Sequence, residues 1–131
     1  MSASQGQRSP PGPILVADDD AAIRQLIALT FERGALTVVQ AASGDEALAL
    51  ARRVRPALAV LDVMMPGVDG IAVCRALKAD PPTAATPVII LTAEAAPDVQ
   101  ERALAAGADA YLTKPFSPAA LLALARRLLL P

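Results

Sequence analysis

The chain has 131 residues, enough for one compact domain and hardly for two. Hydrophobic residues make up 54% and aromatics only 2%, so any core is built from Ala, Leu and Val. The net charge of −1 lacks the basic excess expected of a nucleic-acid binder, and no apolar run reaches the roughly 18–20 residues of a membrane span. Histidine is absent, which excludes a Ser-His-Asp triad, a His-ligated metal and a phosphohistidine carrier. The single cysteine, Cys74, excludes an internal disulfide and fits a reducing cytosol.

Residues 1–13, MSASQGQRSPPGP, are polar and rich in Pro, Gly and Ser, and lack the apolar stretch of a signal peptide. They are expected to form a flexible tail ahead of one domain over 14–130. The first predicted strand, Ile14-Leu15-Val16-Ala17, runs straight into Asp18, Asp19 and Asp20. Neighbouring carboxylates repel, and a position beside a dry core adds desolvation cost. Either something offsets that cost or all three face water.

A helix is predicted over 21–33, with Asp20 as its cap, Ile23, Leu26, Ile27 and Thr30 on one face, and Gly34 as its stop. A second strand follows at 36–39. A second helix at 44–54 opens with the Ser43/Glu46 capping pair and ends at Pro56. A third strand occupies 58–61, and a third helix follows Val68-Asp69-Gly70 to about residue 79. Then come a strand at 88–91, a helix over 98–106 stopped by Gly107, a strand at 110–112, and a last helix from Ser117-Pro118 to about residue 130. Five strands alternating with five helices imply a parallel sheet covered on both faces, a doubly wound α/β fold.

Ligands of such folds bind beyond the carboxyl ends of the strands. There the sequence places Asp18 and Asp19, then Asp62, then Thr92, then Lys114. An oxygen-only donor set suits a hard cation such as Mg²⁺, which would offset the carboxylate repulsion. It would also leave one aspartate usable as a nucleophile toward a phosphoryl group, a reaction that depends on positioning and charge neutralisation.

ILVADDD, LDVMMPGVDG around Asp62, ILTA and YLTKPF, in that order at successive strand ends, resemble the receiver domain of two-component response regulators. The resemblance covers nearly all of 14–130. It implies a flavodoxin-like (βα)5 fold with strand order 2-1-3-4-5. It implies that Asp62 accepts a phosphoryl group from a sensor histidine kinase or a phosphotransfer protein, with only self-catalysed transfer and hydrolysis and no metabolic activity. Asp19 and Asp62 would bind Mg²⁺ directly, Asp18 through water, and the Met64 backbone carbonyl would complete the site. Thr92 and Lys114 would contact the phosphoryl group, and the Lys114-Pro115 bond is expected to be cis. Thr92 and Tyr111 would form the switch that alters the face made by the fourth helix, fifth strand and fifth helix. Met64 and Glu94, each two residues past a site residue, would tune the lifetime of the phosphorylated state.

Taken singly, these residues have plain structural readings: a capped strand end at Asp18 and Asp19, turn chemistry at Asp62, a β-branched strand residue at Thr92, a surface lysine at Lys114. Their joint placement is what points to chemistry. An aspartate-nucleophile phosphohydrolase would need an acid two positions after Asp62, where Met64 stands. A flavodoxin-type cofactor binder would need a Gly/Ser/Thr-rich phosphate cradle where three aspartates stand, and a degenerate receiver would lack some site residue. In the last helix, Leu121, Leu124 and Leu128 form one stripe and Leu122, Ala125 and Leu129 another. The second has no evident intramolecular role, which suggests a homodimer or partner surface on the 98–130 face. No helix-turn-helix or cyclase motif follows Leu130. The expectation is a cytoplasmic receiver without direct nucleic-acid or membrane contact, either standing alone or part of a longer regulator.

Overall fold

The computed structural model describes residues 12–93 and 97–130. The expected tail therefore lies almost wholly outside the described residues. Elements alternate throughout: β1 (Ile14–Ala17), α1 (Ala21–Arg33), β2 (Val38–Ala41), α2 (Gly44–Val54), β3 (Leu58–Asp62), α3 (Gly70–Ala79), β4 (Val88–Thr92), α4 (Pro97–Ala105), β5 (Ala110–Thr113) and α5 (Pro118–Leu129). The strands form one parallel sheet in the order β2-β1-β3-β4-β5. Strand order reverses between β1 and β3, and the crevice of a doubly wound sheet lies at that point.

The pleat sorts the strand side chains onto two cores. Leu15, Ala17, Ala59, Leu61, Val88 and Ile90 pack with Ala47 and Ala51 of α2, Ile71, Cys74 and Leu77 of α3, and Ala103 of α4. Ile14, Val16, Leu58, Val60, Ile89 and Leu91 pack with Ile27 and Phe31 of α1 and Leu121 and Ala125 of α5. β1, β3 and β4 are buried on both faces, which explains the apolar runs at residues 14–17, 58–61 and 88–91. Along the lower edge, Asp109 Oδ2 accepts from Val88 N (2.8 Å) and pairs with Lys78 Nζ (3.0 Å), which also donates to the Thr86 carbonyl (2.8 Å).

Local chemistry sets the boundaries. Asp20 caps α1 by accepting from Ala22 N (2.9 Å), and Ser43, Asp69 and Ser117 cap α2, α3 and α5 in the same way. β2 begins two residues later than its predicted start at residue 36, because Leu36 belongs to the end of α1. Leu36 N donates to the Phe31 carbonyl and Ala35 N to the Glu32 carbonyl, a Schellman closure in which Ala35 takes φ +68°. The left-handed residue is thus Ala35 and not the neighbouring Gly34.

The second stripe of α5 does have intramolecular work. Leu122 and Leu129 pack against the α1/α5 core beside Leu124 and Leu128, and Arg126 Nη2 donates to the Gly34 carbonyl (3.4 Å). The inference of a dimer face from that stripe loses its premise: α5 lies along α1 as well as on the sheet, so it buries a wider apolar arc than one sheet contact needs.

Candidate functional site

Asp62 and Thr92 are the last residues of β3 and β4, one step earlier than a position just past the strands. They are paired to Leu91 and Thr113 and are nearly enclosed. Asp18 follows β1 directly, its N–H donating to the Ala41 carbonyl (3.1 Å), and it is fully buried. Asp18, Asp62 and Lys114 continue the strand parity of the α1/α5 core, whereas Thr92 and Tyr111 share the parity of the opposite face. The pleat therefore splits the expected residues into a charged group and a Thr/Tyr group meeting at one sheet edge.

One carboxylate oxygen from each of Asp18, Asp19 and Asp62 lies within 4.8 Å of the others. Lys114 reaches into this group, its Nζ 3.0 Å from Asp18 Oδ2 and 3.1 Å from Asp62 Oδ1. The ammonium thus offsets part of the repulsion that the Asp18-Asp19-Asp20 run raises. Burial pushes the Asp62 carboxyl above its ordinary pKa; the Lys114 hydrogen bond opposes this and the charges of Asp18 and Asp19 add to it. For Lys114, burial favours the neutral amine, but hydrogen bonds to Asp18 and Asp62 and their charges outweigh it, so its pKa rises. The Lys114-Pro115 bond is cis.

The acidic loop is held from several sides. Asp18 Oδ1 accepts from Asp20 N (2.9 Å), and Arg24 Nη1 donates to the Asp18 carbonyl (2.8 Å). Sequence reading missed Arg24, which is unremarkable as one of several arginines on helix faces. Gly70 also supports the site: a Cβ there would stand 2.2 Å from the Asp62 carbonyl oxygen, so α3 can start against β3 only with glycine at that place. Met64 leaves its side chain 72% exposed. Tyr111 is half-buried, and Gln100 of α4 donates its amide to the Tyr111 hydroxyl. Glu94 lies outside the described residues. Cys74 is buried, with its thiol pushed up to about 11 by burial, in keeping with an inert core residue.

The donor set fits a hard divalent cation: three clustered carboxylates, two of them shielded from water, with a single ammonium among them. Among the described residues no helix is long and apolar enough to cross a membrane.

Comparison with known proteins identifies the family. The family model "Response regulator receiver domain" matches residues 14–126. The chain is 43% identical over 116 residues to the DNA-binding dual master transcriptional regulator RpaA of Synechocystis, covering 88% of this chain and 48% of that protein. It is 38% identical over 113 residues to the DNA-binding response regulator MtrA of Mycobacterium tuberculosis, covering 86% and 48%. Among solved structures, the Vibrio cholerae chemotaxis protein CheY4 superposes with a TM-score of 0.84 at 34% identity, covering 89% of this chain and 98% of that one. The chain belongs to the response regulator receiver family, the phosphorylation-dependent signalling domain of two-component systems.

These relatives overturn one expectation, that of no direct nucleic-acid contact. RpaA and MtrA are DNA-binding regulators, and the chain spans about half the length of such curated relatives. The net charge of −1 describes this chain alone, so it says nothing about the part of such regulators that the chain does not span.

Proposed function

We propose that residues 14–130 act as a cytoplasmic phosphorylation switch in which Asp62 is the phosphoacceptor. The observation that carries this reading is the clustering of the Asp18, Asp19 and Asp62 carboxylates at the carboxyl edge of the sheet, with the Lys114 ammonium paired to Asp18 and Asp62. The phosphodonor is the phosphohistidine of a sensor histidine kinase or phosphotransfer protein. An Asp62 carboxylate oxygen attacks phosphorus, the phosphorus–nitrogen bond breaks, and its electron pair stays with the imidazole, which takes up a proton. Lys114 remains protonated and moves its hydrogen bond from Asp62 to a phosphoryl oxygen. Thr92, at the end of β4, donates its hydroxyl to another.

Asp19, Asp62 and the Met64 carbonyl would hold Mg²⁺, with Asp18 acting through water. The bound ion would neutralise charge on the phosphoryl oxygens. Hydrolysis of the acyl phosphate is self-catalysed, and Met64 and Glu94 tune its rate. Movement of Thr92 toward the phosphoryl group lets Tyr111 turn inward, breaking its bond to Gln100 and altering the face formed by α4, β5 and α5. Because RpaA and MtrA bind DNA, the output under control is a DNA-binding one.

Beryllofluoride, a mimic of the aspartyl phosphate, tests this reading by NMR in the presence of Mg²⁺. The expected result is saturable shifts at Asp62, Thr92, Tyr111 and Lys114 that vanish in Asp62→Asn. Shifts that persist in that variant would refute it.

A further inference from the structure

Arg24 stands out because it lies beside three aspartates and makes an ion pair with none of them; among the described residues the ion pairs are Lys78–Asp109, Lys114–Asp18 and Lys114–Asp62. Its guanidinium addresses neutral acceptors instead. Nη1 donates to the Asp18 carbonyl at 2.8 Å, and Nε donates to Gln40 Oε1 of β2 at 3.1 Å. The carbonyl it holds belongs to the peptide that joins Asp18 to Asp19. The next peptide, joining Asp19 to Asp20, is fixed by Asp20 N donating to Asp18 Oδ1 at 2.9 Å. The N–H of Asp18 is fixed by the Ala41 carbonyl at 3.1 Å. The exposed Asp19 therefore sits between two pinned peptides, and Arg24 supplies one of the pins.

We propose that Arg24, aimed by Gln40, is a positioning residue that orients the Asp19 carboxylate for a divalent cation. This rests on the assignment of the acidic cluster as a cation site. A guanidinium paired directly with Asp19 would compete with the ion. Bonded to the backbone carbonyl, it sets the loop while leaving the carboxylate oxygens available. Outer-shell partners of this kind typically change metal affinity by about 10–100-fold.

Charge and position predict opposite signs. Arg24→Met removes a positive charge near the cluster, so electrostatics alone would tighten cation binding. Loss of positioning would weaken it. The test is Mn²⁺ binding to the full chain, measured by electron paramagnetic resonance for wild type, Arg24→Met, Gln40→Ala and Asp62→Asn, with hydrogen exchange followed at the Asp19 and Asp20 amides. Arg24→Met is expected to bind about tenfold more weakly, and Gln40→Ala to shift affinity the same way by less. Exchange at the two loop amides should quicken in both while core amides stay protected. Gln40 is exposed, so its variant decides the matter if Arg24→Met does not fold. Unchanged or tighter binding in the folded Arg24 or Gln40 variants would overturn the positioning role alone. A wild type that binds no Mn²⁺, or an Asp62→Asn that binds as well as wild type, would overturn the cation site itself and this role with it.

Discussion

Lys114 Nζ lies 3.1 Å from Asp62 Oδ1 and reaches Asp18 Oδ2 with the same ammonium. The sheet brings β5 to these aspartates although β5 is two strands away from β3. Removing Lys114 would leave two enclosed carboxylates facing each other. Breaking a buried pair typically costs about 3–5 kcal/mol, less where one partner is solvated. Lys114 keeps 18% of its side chain exposed, so a loss of about 1–3 kcal/mol is expected for Lys114→Ala in EDTA. Thermal melts should show the deficit in EDTA and recovery of much of it with Mg²⁺. Equal deficits in both conditions would argue against an ion acting on the same carboxylates.

Asp62 should make the metal-free fold less stable at neutral pH. Burial raises its folded pKa, so the folded state holds the proton more tightly than the unfolded chain does. Its contribution is therefore most favourable below the ordinary carboxylate pKa and is lost as pH rises through the folded value. In EDTA, Asp62→Asn should melt higher than wild type by an amount on the order of 1 kcal/mol. The gap should widen as pH rises from about 4 to 7. A gap that is constant or narrows over that range would contradict the stated origin of the shift.

Ala35 closes α1 at φ +68°, a conformation that disfavours any residue with a Cβ. Ala35→Gly should stabilise the chain by about 0.5–1 kcal/mol, the relief of strain exceeding the added freedom of the unfolded chain. A denaturant midpoint that rises with an unchanged slope would show this. Destabilisation would mean that the closure around Leu36 tolerates the methyl group.

Much of the architecture was legible because β1, β3 and β4 are enclosed on both faces and so read as unbroken apolar runs. β2 slipped because Leu36 looks like a strand residue, whereas its N–H serves the end of α1. Asp62 and Thr92 seemed to lie past their strands because periodicity ends where polarity begins, while the backbone ladder runs one residue further. The second α5 stripe was misread because one helix's pattern does not show that α1 lies alongside it. Arg24 left no trace in the sequence, since a bond to a backbone carbonyl demands nothing of the partner's side chain.

The most direct test of Asp62 as phosphoacceptor is the intact mass of the chain after incubation with acetyl phosphate. Wild type with Mg²⁺, wild type with EDTA and Asp62→Asn with Mg²⁺ are compared. One phosphoryl adduct in the first sample and none in the other two is the expected result. An adduct that survives in Asp62→Asn, or that forms equally in EDTA, would contradict it.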